Sequence, residues 1–166
     1  MNLLRSWVTK KLTQIATKCV IYNGINDILE EGLPATILDN LGSLISDLKE
    51  KNNAMKIYVC QVVPMPTTPE IQTKTEDYNE LLVKWGETNG IEIIKTAPIF
   101  RLGTGELDDL SFSKAEEEYS GFTLNRLGAI KLLSTITKQC PDFHLCSTWD
   151  EVKNFWNTYR AQRSDR

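Results

Sequence analysis

The sequence predicts an α/β protein, with a three-layer αβα arrangement around a parallel sheet. Three short apolar runs, at 19–25, 56–64 and 91–96, are typical of buried strands. Longer amphipathic stretches alternate with them, and this order favours right-handed βαβ crossovers. No internal repeat or low-complexity linker interrupts the pattern. We therefore expect one α/β domain over residues 1–140 and a C-terminal extension at 141–166.

The first strand is preceded by a predicted amphipathic helix at 2–17, which would deliver the chain to the sheet. The strand runs into residues 23–27, Asn-Gly-Ile-Asn-Asp, which we interpret as a loop. Ligands of open α/β sheets bind at the carboxyl ends of the strands. This strand end is therefore the first place to look for a functional site.

The second helix is expected to begin near Pro34, which a first helical turn tolerates, and to end at Asn52-Asn53. Its apolar residues recur at three- and four-residue spacing, which predicts one buried face. They are Ile37, Leu38, Leu41, Leu44, Ile45 and Leu48.

The second strand stops at Pro64-Met65-Pro66, and a third helix follows at about 69–88. Asn89-Gly90 is a C-terminal stop signal. The residues expected to point inward are Tyr78, Leu81, Leu82 and Trp85.

Beyond the third strand, residues 101–120 are polar and lack clear periodicity, which predicts a long loop. From Asn125 the pattern becomes helical again, and a final amphipathic helix is expected at about 148–160. The first of these helices has its apolar side at Leu127, Ile130, Leu133, Ile136 and Thr137. The last carries Trp149, Val152, Phe155, Trp156 and Tyr159. Its aromatic face would cover either its own domain or a partner surface.

Composition is that of an ordinary globular protein: 166 residues, 41% hydrophobic and 25% charged. A net charge of −3 gives no overall electrostatic case for nucleic-acid binding. Residues 1–18 nevertheless carry four bases and no acid. A candidate binding surface, for RNA among other partners, therefore includes Lys10 and Lys11, with Trp156 of the aromatic helix.

No segment has the apolar length of a membrane span, and the N-terminus lacks the apolar core of a secretory signal. The four cysteines do not form a disulfide framework, which favours reduced thiols. We expect an intracellular protein, cytoplasmic or nuclear, without membrane association. A mitochondrial address in the acid-poor start is a weaker alternative.

Two short stretches resemble blocks of the SGNH (GDSL) hydrolases. Residues 24–27, Gly-Ile-Asn-Asp, look like the G-x-N-D block at a strand end, and residues 119–128 (YSGFTLNRLG) resemble the D-G-x-H-L-N block. Residues 77–82 (DYNELL) fit the connecting pattern. The whole is particularly similar to the esterase-like domains in first-reading-frame proteins of non-LTR retrotransposons. The resemblance implies a flavodoxin-like SGNH topology whose first two strands are missing.

The departures from the family pattern concern its catalytic residues. The G-D-S block that supplies the nucleophile has no counterpart, and Ser6 lies within a predicted helix. Ser120 takes the place of the family's acidic residue, and Thr123 takes the place of its histidine. A hydroxyl cannot replace imidazole as a base near neutral pH. No intact catalytic set is therefore expected.

Gly24 and Asn26 occupy the family's oxyanion-hole position, where the Asn26 amide would donate to the oxyanion. The simpler interpretation is that Asn26 and Asp27 cap the loop with side-chain hydrogen bonds. A zinc site at Cys140, His144 and Cys146 matches no strong spacing pattern, so we expect no metal and no cofactor.

Two function classes remain open at this stage, and a third possibility is a nonfunctional gene remnant that is still foldable. The first is a catalytically inactive SGNH-like binding or scaffold module, retroelement-derived or similar in kind to the SGNH-like domain of the germ-plasm organiser Oskar. The alternative is a residual SGNH-type acyl-ester hydrolase of the esterase or lipase kind. Without the family's first two strands, the strand at 19–25 would have an open apolar edge. The N-terminal helix, the C-terminal helix or another chain would cover that edge, and a homodimer or a complex with a protein partner formed through it is one hypothesis.

Overall fold

Three parallel strands form the central sheet, in the order β1–β2–β3. They are β1 (Lys18–Ile21), β2 (Lys56–Cys60) and β3 (Glu92–Ile94). The computed structural model describes residues 17–30, 32–114 and 122–140. Within these ranges β1 pairs with β2 alone, so β2 is the central strand. The predicted helix at 148–160, and all but the last residue of the predicted helix at 2–17, lie outside the described residues.

Four helices accompany the sheet. They are α1 (Ile25–Leu29), α2 (Pro34–Lys51), α3 (Pro69–Asn89) and α4 (Arg126–Gln139). Helix α3 is capped by the Thr68 hydroxyl, which accepts a hydrogen bond from the Ile71 amide, and it ends at Gly90 as predicted. All six apolar residues expected to face inward on α2 are buried.

The sheet separates two hydrophobic cores, because successive side chains of a strand point to opposite faces. Ile57 and Val59 of β2 face the core shared with α1, α2 and α3. Tyr58 and Cys60 face the second core, which includes Leu132 of α4. This arrangement confirms the predicted α/β class and its three layers.

Two predictions about the elements near the strand ends are wrong. The apolar runs at 19–25 and 56–64 are longer than the strands, which end at Ile21 and Cys60. Residues that follow β2, such as Val62, are buried without being paired in the sheet. Hydrophobicity therefore reports burial here and not strand pairing.

The predicted loop at 101–120 contains regular structure. Within this range lie a short 3-10 turn, Asp109–Ser111, and the strand β4 (Phe112–Lys114). Strand β4 pairs antiparallel with β5 (Phe122–Leu124), which follows the range, and another 3-10 turn, Pro98–Phe100, precedes it. Strands of three residues are too short to show a period, so the sequence pattern could not indicate them.

The predicted inward faces of two helices need correction. Leu81 of α3 is 40% exposed. On α4, Ile136 is buried as expected, but Leu127, Ile130 and Leu133 are exposed on another side of the helix. The sequence pattern merged two apolar faces of α4 into one.

Candidate functional site

The carboxyl ends of the three parallel strands meet at one edge of the sheet. The segments that leave this edge are 22–24 after β1, 61–63 after β2 and 95–96 after β3. Open α/β sheets bind their ligands at this edge. We therefore take these segments, with α1, as the candidate site.

Gly24 makes the turn from β1 into α1. Its φ of 123° lies in a region that L side chains rarely adopt. A Cβ here would also come within 3.0 Å of Val62 Cγ2 and 3.4 Å of Tyr78 Cε1. Gly24 is therefore required both by the backbone conformation and by the close approach of α3 and the 61–63 segment.

Asn26 and Asp27 lie inside α1 and not in a loop, which corrects the sequence interpretation. The Gly24 carbonyl accepts a hydrogen bond from the Ile28 amide at 3.0 Å, and no side-chain hydrogen bond caps this helix. The side chain of Asn26 is exposed at the site edge. Its assignment to an oxyanion-hole position remains a prediction.

The segment after β2 is held by the side chain of Asn79 on α3. The Val62 amide donates to Asn79 Oδ1, and Asn79 Nδ2 donates to the Val62 carbonyl, both at 2.8 Å. Both residues are buried. The carboxamide thus satisfies two backbone groups that sheet pairing leaves open.

The Thr96 hydroxyl fixes the same segment from the other side. It donates to the Gln61 carbonyl at 2.5 Å, while the Gln61 amide donates to the Ile94 carbonyl at 3.0 Å. The hydroxyl is therefore committed to a structural hydrogen bond. Gln61 Oε1 is buried without a hydrogen-bond partner.

The tyrosines and the cysteine near this edge are poor nucleophiles at neutral pH. Burial raises the pKa of Tyr22 to about 12, although a hydrogen bond from the Val63 backbone opposes the change. Burial, together with the neighbouring Asp27, also raises the pKa of Tyr78 above its usual value. The pKa of Cys60 is raised to about 12 by burial, with Cys140 adding to the effect.

Thr123, which the sequence resemblance aligns with the family's histidine, lies in β5 opposite Ser113. It is exposed, and it carries no group that titrates near neutral pH. Ser120, at the family's acidic position, lies outside the described residues. Asn125, two residues after Thr123, caps α4 by accepting a hydrogen bond from the Gly128 amide at 3.0 Å.

A buried polar cluster, which the sequence did not indicate, joins α4 to the turn before β4. The Asp108 carboxylate accepts a hydrogen bond from the Ser111 hydroxyl at 2.7 Å and forms an ion pair with Lys131. The hydrogen bonds from Lys131 and Ser111 lower the pKa of Asp108. The three residues satisfy one another, so the cluster is structural.

This cluster borders an open depression of about 550 Å³. Its lining is acidic and leucine-rich: Leu102, Glu106, Leu107, Asp108, Asp109 and Leu110. Of the contacts in this cluster, only the one between Asp108 and Ser111 joins residues close in sequence, three positions apart, so only this contact could be suspected from the sequence. Lys131 follows 23 residues after Asp108, so the ion pair cannot be inferred from sequence.

Several predicted residues lie outside this site. Cys140 is buried in the second core, whereas His144 and Cys146 lie outside the described residues. No group of three metal-ligating side chains occurs within 17–30, 32–114 and 122–140. The candidate binding residues Lys10, Lys11 and Trp156 also lie outside the described residues.

Comparison with solved structures places the fold among SGNH-like α/β domains. The OSK domain of Drosophila Oskar matches with a TM-score of 0.68 at 14% identity, over 83% of this chain and 68% of that one. A lipolytic protein of the G-D-S-L family from Desulfitobacterium hafniense gives 0.63 at 14%, over 83% and 74%. A GDSL-like lipase from Bacteroides thetaiotaomicron gives 0.58 at 17%, over 72% and 59%.

No protein-family model matches the sequence, and no curated protein matches it significantly. At such low identity the structural matches show the fold alone. They confirm the predicted SGNH-like α/β fold. Within the described part of the chain, no helix has both the length and the apolar character needed to cross a membrane.

Proposed function

We propose that this chain is a catalytically inactive SGNH-like domain that acts as a binding or scaffold module. The observation that carries the proposal is the chemistry of the candidate site. At the edge where this fold binds ligands, Tyr22 and Cys60 have pKa values raised to about 12. The Thr96 hydroxyl donates to the Gln61 carbonyl, and Thr123, which the sequence resemblance aligns with the family's histidine, has no group that could act as the base.

An acyl-transfer enzyme needs a nucleophile, a base that takes its proton and donors for the oxyanion. Of these, the described residues offer only the exposed amide of Asn26 as a donor. Removing single members of a catalytic triad already leaves only residual catalysis. The site therefore supports binding better than hydrolysis.

Hydrolysis of p-nitrophenyl acetate by the full chain tests the inactive assignment. We expect no turnover above the uncatalysed rate in buffer, and no difference between the wild type and Asn26→Ala. Turnover above this background that is lost in Asn26→Ala would support the alternative, a residual ester hydrolase.

The proposed partners are a protein, including a second copy at the β1 edge, and single-stranded RNA. Within the described residues β1 pairs on one side only, and an unpaired edge is a template for further strands. Size-exclusion chromatography with light scattering tests the homodimer. A clean monomer at micromolar concentration would contradict it.

The proposal of RNA binding rests on the basic residues near the N-terminus and on the Oskar-like fold. A filter-binding titration with single-stranded RNA at two salt concentrations is the test, since phosphate contacts weaken as salt rises. We expect Lys10→Glu/Lys11→Glu to abolish the affinity. Unchanged affinity of this variant would refute a basic RNA-binding surface.

The proposal of an inactive SGNH-like binding module also includes an intracellular location and an origin from a retroelement.

A further inference from the structure

Helix α4 is apolar on two opposite sides. Its buried side consists of Gly128, Leu132 and Ile136, which follow one another at four-residue spacing. On the opposite side, three large apolar side chains are exposed. They are Leu127 at 45%, Ile130 at 52% and Leu133 at 44%.

The three exposed residues form one continuous surface, which we call the outer face of α4. A helix turns by about 100° per residue, so Ile130 lies between Leu127 and Leu133 around the axis, about 160° from the middle of the buried side. A helix on the surface of a globular protein normally has one apolar side, and a second side with several exposed large apolar residues is typical of a contact surface. The outer face therefore calls for an occupant beyond the three layers of the fold.

We infer that the outer face of α4 is covered by residues 148–160 of the same chain, as the second arm of an antiparallel helical hairpin. The position of this segment along the chain favours it. Helix α4 ends at Gln139, and Pro141 cannot continue it. Eight residues, 140–147, then lead to the segment, within the usual range for helix–helix connections in bundles.

The segment also matches the outer face in length and in pattern. A helix of 13 residues would be about 20 Å long, against about 21 Å for the 14 residues of α4. Trp149, Val152, Trp156 and Tyr159 recur at three- and four-residue spacing. They would present one apolar face to the outer face of α4.

Charge complementarity supports the antiparallel direction. In such a hairpin, the start of the segment lies beside the end of α4. The segment starts with Asp150 and Glu151, and the last turn of α4 carries the exposed Lys138. Opposite charges would therefore meet at this end of the hairpin, whereas at its other end Arg160 would lie near the exposed Arg126.

Photo-cross-linking of the full chain tests this inference directly. p-Benzoylphenylalanine is introduced at position 130, and in a matched control at position 81. Leu81 is 40% exposed and lies on α3, on the other side of the sheet. We expect the probe at 130 to cross-link within the monomer to peptides from 148–160, and the probe at 81 not to do so.

Three outcomes would overturn the inference. In the first, the probe at position 130 cross-links only to a second copy of the chain, which mixing with isotopically labelled protein would detect. In the second, it cross-links only to segments other than 148–160. In the third, it forms no cross-links.

A comparison of the stabilities of two variants gives an independent check. If the outer face is covered, Ile130→Ser should lower the Tm by several degrees more than Leu81→Ser. Equal shifts for the two variants would also contradict the inference. The inference about the outer face of α4 does not depend on the proposed function.

Discussion

Asn79 replaces a strand partner for Val62. Its carboxamide both accepts from the Val62 amide and donates to the Val62 carbonyl, at 2.8 Å each, where the chain has left β2 and is still buried. One side chain thus fixes the backbone of the residue whose Cγ2 atom packs against Gly24 across the candidate site.

Asn79→Ala should lower the free energy of unfolding by about 2–4 kcal/mol, because it leaves two buried backbone groups without partners. Urea unfolding followed by circular dichroism measures this change. Asn40→Ala is the matched control, since Asn40 is an exposed asparagine within α2. A loss for Asn79→Ala no larger than that for Asn40→Ala would show that the two hydrogen bonds do not stabilise the fold.

Gly128→Ala should destabilise the protein although alanine is the better helix former. A Cβ at this position would lie 2.2 Å from the Ser111 carbonyl oxygen, so α4 and the turn before β4 would have to separate. We expect a loss of about 1–3 kcal/mol in thermal or urea unfolding.

Gly42→Ala is the control for this prediction. The nearest atom to a Cβ there is a Trp85 ring carbon at 3.5 Å, an ordinary contact. This substitution in α2 should be neutral or stabilising by up to about 1 kcal/mol. Equal effects of the two alanines would mean that the close approach at Gly128 is not a constraint.

The ion pair of Asp108 with Lys131 should make stability depend on pH in acid. The pKa of Asp108 is lowered from its ordinary value of 3.8 by the Lys131 and Ser111 hydrogen bonds. The native state thus favours the carboxylate. The resulting stability is fully present above 3.8 and is lost as the pH falls through the lower native pKa.

Asp108→Asn removes this contribution, so the stability difference between wild type and variant should be large at pH 7 and shrink below pH 3.8. Urea unfolding at a series of pH values measures it. Asp109→Asn, at the exposed neighbouring carboxylate, should change stability little. A difference for Asp108→Asn that does not vary with pH would contradict the role of this ion pair.

Cys60 should resist alkylation in the folded protein. It is completely buried, and with its pKa raised to about 12 the thiolate fraction at pH 8 is on the order of 10⁻⁴. Mass-mapped labelling by iodoacetamide should therefore modify Cys60 only after unfolding, with urea-unfolded protein as the reference. Equal labelling rates in both states would show that the thiol is accessible and activated.

The sequence was sufficient where a pattern extends over many residues. The helices α2 and α3 show three- and four-residue spacing over several turns, and Asn125 marked the start of α4 correctly. The parallel sheet followed from strand–helix alternation. These features depend on neighbours along the chain.

What the sequence did not indicate depends on residues far apart. Asn79 is 17 residues from Val62 and has the same local pattern as any exposed helical asparagine. The β4–β5 pair has three residues per strand, too few for a period. The two apolar sides of α4 could be separated only when the sheet showed which side it covers. These features are determined by contacts between residues that are distant along the chain, and local composition does not reveal such contacts.

The central position of β2 has a consequence for how the protein opens. Its alternate side chains belong to both cores, so displacement of β2 would open both cores together. Local fluctuations should therefore expose the ends of the chain and the surface turns but not this strand. In native-state hydrogen exchange, the amides of Tyr58 and Cys60 should exchange only through global unfolding, and both cores should be lost in a single cooperative step.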